Sequence, residues 1–251
     1  MIGNQNSARR ETVSAFQKAR AGAGEFLEAS NMPNALISDG CVMTCVTRDE
    51  LAIIKDPEVK LVIWERELSA DLRTWLEQLR PAELPDLRVL TAPKDLPKAL
   101  HSAFDNDVLP GQNMRDLLVK DIHLLVSKFA AITGNTLVDV RLERISHDAC
   151  WKFHFDAVEK RLLTTYRGPN TEWIQPEHST EALRKQRDYS GPIESLKHND
   201  VAIFKGSRAE TGMGIVHRSP PIENTGFTRL LLCLNAPSIV SPEPWLPSQK
   251  E

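Results

Sequence analysis

Cysteine is scarce, with only Cys41, Cys45, Cys150 and Cys233 in a chain of 251 residues. Four so scattered do not make a disulfide framework, which agrees with a reducing compartment. Cys41 and Cys45 form a C-x3-C pair, half of a zinc pattern. A second pair with ligand spacing is missing, so both read first as small apolar residues. Long apolar runs are lacking too, and none approaches the ~18 residues that a membrane helix needs. Residues 1–20 carry Arg9, Arg10, Glu11, Lys18 and Arg20 but not the apolar core of a secretion signal. A cytoplasmic location is therefore expected, with no membrane partner. Neither sign of charge dominates, since 31 basic residues face 34 acidic ones and no dense Lys/Arg cluster occurs. That leaves no footprint for gripping a phosphate backbone, and no nucleic-acid partner is expected.

What is present is ordinary globular material, 41% hydrophobic and 26% charged. The length fits one continuous domain, and within it the character of the chain changes near Gly134. Residues 1–134 read as mainly helical. Ser69 is an N-cap for Ala70 to Leu79, and Pro81 and Pro85 break the pattern after it. A longer helix runs from Met114 to Ile132, its stripe formed by Leu117, Leu118, Ile122, Leu125, Val126 and Phe129, with Gly134 as the C′ residue. Val59 to Trp64 is a short β-like run suited to a sheet edge. From residue 135 to 251 the period becomes two. Leu137–Ile145, Cys150–Asp156, Arg161–Arg167, Val201–Phe204, Met213–His217 and Phe227–Asn235 read as strands. The polar stretch Gln175–Asn199 is an insertion, either a substrate lid or an idle surface loop. The Pro-rich tail, Pro237 to Pro247, reads as an extended strap, and Trp173 and Trp245 as packing anchors.

One constellation carries chemistry. As a strand, residues 150–156 point Trp151, Phe153 and Phe155 one way, toward the helices, and Cys150, Lys152, His154 and Asp156 the other. His154 and Asp156 then stand about 7 Å apart along one face, close enough to share an ion. His217 ends a later strand and supplies a third ligand. Two imidazoles and one carboxylate on one face of an octahedron leave positions open for chemistry. In Phe227–Asn235, Leu230, Leu232 and Leu234 pack outward, which turns Arg229 inward. A guanidinium held there needs an anion, either a bound carboxylate or an internal partner such as Glu143 or Asp139.

With those residues in place, the chain resembles the Fe(II)- and 2-oxoglutarate-dependent dioxygenases: His-x-Asp, a long gap, a second His, then Arg. Asp200-Val-Ala-Ile-Phe and His217-Arg-Ser-Pro-Pro-Ile-Glu-Asn224 are similar to the phytanoyl-type branch, over residues 137–235. The resemblance implies a double-stranded β-helix (cupin or jelly-roll) barrel under a helical N-terminal half, an α+β fold. It also implies Fe(II) on His154, Asp156 and His217, and 2-oxoglutarate held by Arg229 with help from Tyr166 or Thr164. The reaction would be hydroxylation of a small-molecule or protein substrate. Nearly the whole chain is also similar to a bacterial family called domain of unknown function 1826. Cys150-x-Lys-Phe-His-x-Asp156, Thr165-Tyr-Arg-Gly168, Thr171-Glu-Trp173 and His217-Arg-Ser-Pro220 carry that similarity. It implies an alternative, a Zn²⁺ protein linked to zinc homeostasis without oxygenase activity.

Other residues have plainer readings beside functional ones. Cys150 and Lys152 share the parity of the ligands, so each either meets substrate or is packing and rim; Cys150 is also a potential fourth ligand. Arg167 either binds an anionic substrate or is an exposed turn residue. His147, His178 and His198 lack ligand spacing and are expected on the surface.

Overall fold

The computed structural model describes residues 36–38, 40–106, 109–210, 212 and 214–247. Met213, expected at the head of a strand, lies outside these residues, as do residues 1–20. One sheet contains β1 (Leu36–Ser38), β2 (Val42–Cys45), β3 (Leu61–Trp64), β4 (Leu87–Thr91), β5 (Val138–Ile145), β6 (Lys160–Arg167), β9 (Val201–Lys205) and β11 (Arg229–Asn235). A second, small sheet contains β7 (Glu172–Trp173), β8 (Glu194–Ser195) and β10 (His217–Arg218). The orders are β1-β2-β3-β9-β6-β11-β5-β4 and β10-β7-β8. The helices are α1 (Ala70–Gln78), α2 (Leu96–Asn106), α3 (Gln112–Thr133) and α4 (Ser179–Lys185).

Side-chain alternation decides the layers. Along β11, Leu230, Leu232 and Leu234 enter a core shared with α1, α2 and α3, while Leu231 and Cys233 face the other way. Each fully buried leucine of that set stabilises the layer by roughly 1.5–3 kcal/mol. The neighbouring strands obey the same rule. Val138, Val140, Leu142, Leu162 and Ile203 join the helical side, and Ile145, Leu163, Ala202 and Phe204 join the opposite side. Over that opposite side lie Trp173, Leu196 and Ile215, from β7 and the segments that follow β8 and lead into β10. The molecule is thus layered as helices, large sheet and small sheet, with the space between the sheets left for the site.

Local signals explain the helices. The Ser69 side chain accepts from Leu72 N–H at the start of α1, and α3 stops at Gly134, whose φ of +73° suits a residue without Cβ. Leu118, Ile122, Leu125, Val126 and Phe129 are the buried stripe of α3. Among the described residues, no helix is long and apolar enough to cross a membrane.

Several expectations are corrected. The fold is mixed α and β, but the strands do not close into a barrel. The large sheet ends at β1 and β4 and the small one at β10 and β8. The physical reason is length, since β7, β8 and β10 span two residues each and cannot carry pairing around a circumference. Besides its helices, the described part of the first half supplies β1 to β4 to the large sheet. β3 is an interior strand between β2 and β9, where an edge was expected. Residues 150–156 do not form a strand; only His154 makes a bridge, to His217. The aromatic Phe153 packs on Ile174, Ala182, Tyr189 and Val216, away from the N-terminal helices. The tail does run as a strap: Trp245 N–H donates to Leu90 O at 2.7 Å, and Ser241 Oγ–H donates to Asp139.

Candidate metal centre

His154 and His217 face each other across an antiparallel bridge. Each donates its backbone N–H to the other's carbonyl at 3.1 Å, so the backbone itself sets the two imidazoles side by side. Their ring centroids are 4.7 Å apart. Asp156 follows two residues on, and one ligand atom from each of the three lies within 4.8 Å of the others. Among the described residues no other group of three such side chains has this spacing. Phe204 of β9 supports His217 from below, with ring centroids 4.7 Å apart.

The hydrogen bonds of the imidazoles decide which nitrogen is available. His154 Nδ1 lies 2.8 Å from Lys152 O, and His217 Nδ1 lies 3.1 Å from Ile215 O. A carbonyl accepts, so each Nδ1 carries the proton and each Nε2 presents a lone pair. Both Nε2 atoms face Asp156, at 3.8 Å from Oδ1 for His154 and 3.3 Å from Oδ2 for His217. Asp156 Oδ1 accepts from the Arg161 guanidinium, whereas the buried Oδ2 has no hydrogen-bond donor among the described residues. Lone pairs converging at these distances in a buried place repel unless a positive charge, a proton or a metal cation, sits among them. Burial and then the neighbouring His217 push the His154 imidazole below its ordinary value. Burial alone would raise the Asp156 carboxyl, but His217, Arg161 and His154 together hold it below the usual carboxylate value. Neutral imidazole and ionised carboxylate are the forms a cation requires.

A cavity of about 320 Å³ opens in front of these donors, with His154, His217, Arg161, Thr171 and Ser219 in its wall. Just behind it lies Arg229, fully buried. Among the described residues its guanidinium donates only to hydroxyls, Ser219 Oγ at 2.7 Å, Thr165 Oγ1 at 3.3 Å and Thr171 Oγ1 at 3.4 Å. Its Nε has no partner among the described residues. Neither expected internal carboxylate reaches it, because Asp139 pairs with Arg88 and Glu143 with Arg141. Burial pushes its guanidinium down to about 10.

Other candidates are redistributed. Tyr166 and Thr164 lie on the helical face of β6, away from the cavity: Tyr166 O–H donates to Asp121 Oδ2, and Thr164 Oγ1–H to Asn199 O. It is Thr165, of the other parity, that meets Arg229. A bulge between Leu230 and Leu231 shifts the register, so that Arg167 stands opposite Leu230 and also turns to the helices. There its guanidinium donates to Leu76 O and Leu79 O at the end of α1, which corrects both readings made for it. Lys152 is exposed over the Trp151 ring, outside the cavity wall. Cys150 is in that wall, and so is His147, which is exposed as expected. Cys41 and Cys45 pack on opposite faces of the sheet and share no site. Arg161 was missed. Its only signal was strand parity, shared with Leu163 and Thr165.

Among curated proteins no sequence matches. Several solved structures are similar. A C-terminally truncated protein of Neurospora crassa, in apo form, is 12% identical with a TM-score of 0.41, covering 83% of this chain and 100% of that one. The full-length form of that Neurospora crassa protein, in complex with alpha-KG, is 13% identical with a TM-score of 0.39, covering 82% and 88%. A Pseudomonas putida prolyl-4-hydroxylase is 14% identical with a TM-score of 0.37, covering 75% and 100%. A family model matches residues 47–235, well over half of the chain, and it takes in every residue of the centre described above. The protein is a member of the family described as Protein of unknown function (DUF1826).

Proposed function

We propose that the protein is an Fe(II)- and 2-oxoglutarate-dependent oxygenase acting on a small-molecule or protein substrate. One observation carries the reading: a buried arginine without a carboxylate stands behind the same cavity wall as a His-Asp-His set whose free lone pairs converge. Each half is costly alone, and each is explained by a ligand. His154 Nε2, Asp156 Oδ2 and His217 Nε2 would hold the metal, and Arg229 would bind the distal carboxylate of the co-substrate through its planar fork. Bound Fe(II) supplies oxidation of a substrate C–H bond by O2, coupled to decarboxylation of 2-oxoglutarate. The chain's own part is to orient and to exclude water. Arg161 fixes Asp156 through Oδ1, so that Oδ2 stays directed at the cation. Ser219, Thr165 and Thr171 hold the guanidinium in place until the carboxylate arrives. The apolar wall from Leu163, Leu231 and Cys233 keeps that carboxylate's surroundings dry. The arrangement of two facing sheets supports an opened form of the double-stranded β-helix.

The same donors accept Zn²⁺. A zinc protein of this design leaves Arg229 without a ligand, which is why the oxygenase reading is preferred. The test is to strip the metal, add Fe(II) with 2-oxoglutarate, and measure succinate. Succinate is expected from the parent. His154→Ala should lose metal, and Arg229→Met should keep metal yet need about a hundredfold more 2-oxoglutarate, the cost of about 2.7 kcal/mol for a charge-assisted contact. Tight zinc with no 2-oxoglutarate uptake, even after exchange to Fe(II), would overturn the proposal.

A further inference from the structure

Residues 175–199 contribute nothing to the cavity wall. They pack instead behind the segment that bears His154, where Phe153 meets Ala182 and Tyr189. Within that segment only His154 has a ladder partner, while the Cys150 and Asp156 carbonyls each accept a single bond, from Ser219 N–H and Ser207 N–H. Phe153, beside it, has no strand to pair with. Its N–H donates to Gln186 Oε1 at 2.8 Å, and its carbonyl accepts from Gln186 Nε2 at 3.0 Å. One side-chain amide does for Phe153 what the His217 backbone does for His154. The same Nε2 also donates to Leu183 O at 2.9 Å, tying the contact to the end of α4. Gln186 is held at φ +54° and ψ −112°, a conformation rarely adopted by residues with a side chain.

Two neighbours tighten the grip. Tyr189 meets the Phe153 ring edge-on with centroids 5.6 Å apart, and the Arg187 guanidinium lies 4.2 Å from the Trp151 ring centroid. His154 is also the donor with most to gain. Its side chain is 33% exposed, against 3% for Asp156 and 4% for His217. Its ring is steered by Lys152 O, which belongs to the same short segment. Whatever fixes the backbone at Phe153 therefore fixes the imidazole.

We infer that Gln186 is a positioning residue for the metal centre, setting through the Phe153 backbone where His154 Nε2 stands. The inference rests on the metal reading above. Cobalt(II) titration of the metal-free full chain tests it, through affinity and the visible d–d bands. Gln186→Met preserves length and removes all three bonds; Co(II) affinity should fall about tenfold and the bands should change. Gln186→Glu keeps the acceptor for Phe153 N–H and loses the donor, so a smaller change in the same direction is expected. Tyr189→Phe loses only its bond to Pro192 O and should match the parent in both readouts. Parental affinity and bands in both Gln186 variants, even with lowered thermal stability, would overturn the inference and leave the metal reading standing. If Gln186→Met does not fold, Gln186→Glu alone decides on the same terms. A parent that takes up no Co(II) overturns both.

Discussion

Arg229 pays for its position through desolvation. Its folded-state value of about 10 lies below the ordinary guanidinium value, so the penalty is fully present at neutral pH and is relieved only as pH rises above about 10. Three hydroxyls hold it and no buried carboxylate would be orphaned by its removal. Arg229→Met should thus leave the stability of the ligand-free protein unchanged or raise it, within the ~1–4 kcal/mol found when buried ionic groups give way to apolar ones. Denaturant unfolding measures this, and a loss above about 2 kcal/mol would mean that the hydroxyl contacts outweigh the burial. The inward placement of Arg229 was legible in the sequence because three leucines at alternate positions fixed which face was apolar. Thr164 and Tyr166 show where that logic ends. Thr164, Thr165 and Tyr166 are all buried, so exposure gives no parity, and the bulge after Leu230 leaves no mark of its own.

At the level of elements, the junction of β6 and β11 depends on Gly168. Its φ is +84°, and a Cβ there would come within 3.0 Å of Thr228 O and 3.1 Å of Arg229 Cα and Cγ. Gly168→Ala should destabilise the fold by about 1–2 kcal/mol from the backbone conformation alone. The added methyl also presses directly on Arg229, so under the proposed function 2-oxoglutarate affinity should fall with stability. Chemical denaturation and a co-substrate titration check the two effects; a change in stability without one in affinity would separate the turn from the site. The helices α1 and α3 were readable from periodicity and their caps, Ser69 and Gly134. β2 and β4 were not, being short and stabilised by partners distant in sequence. Residues 150–156 mimicked a strand because site residues and aromatics happen to alternate. That segment is held by contacts distant in sequence, the His217 backbone at His154, Ser207 N–H at the Asp156 carbonyl and Gln186 at Phe153, which no local pattern announces.

Taken whole, the molecule gathers its candidate metal donors from two places in the chain, Asp156 with His154 and then His217. A cation that binds only the folded form must therefore stabilise all of it. At a free metal concentration a hundred times the Kd, the gain is about 2.7 kcal/mol, which for a protein of this size raises Tm by roughly 5–10 °C. Thermal scans with Mn(II) should show this rise in the parent and none in His154→Ala. An equal rise in both would place the metal elsewhere.

The order of the large sheet has a consequence for biosynthesis. β5 and β6 are made early but do not touch; β11, which lies between them, leaves the ribosome after every other strand of that sheet. Until it arrives, two strands expose unmatched edges, and the arginine pocket does not exist. A nascent chain stalled ahead of Arg229 would accordingly be a client for chaperones and a seed for aggregation, since the sheet is complete only once β11 has followed its neighbours.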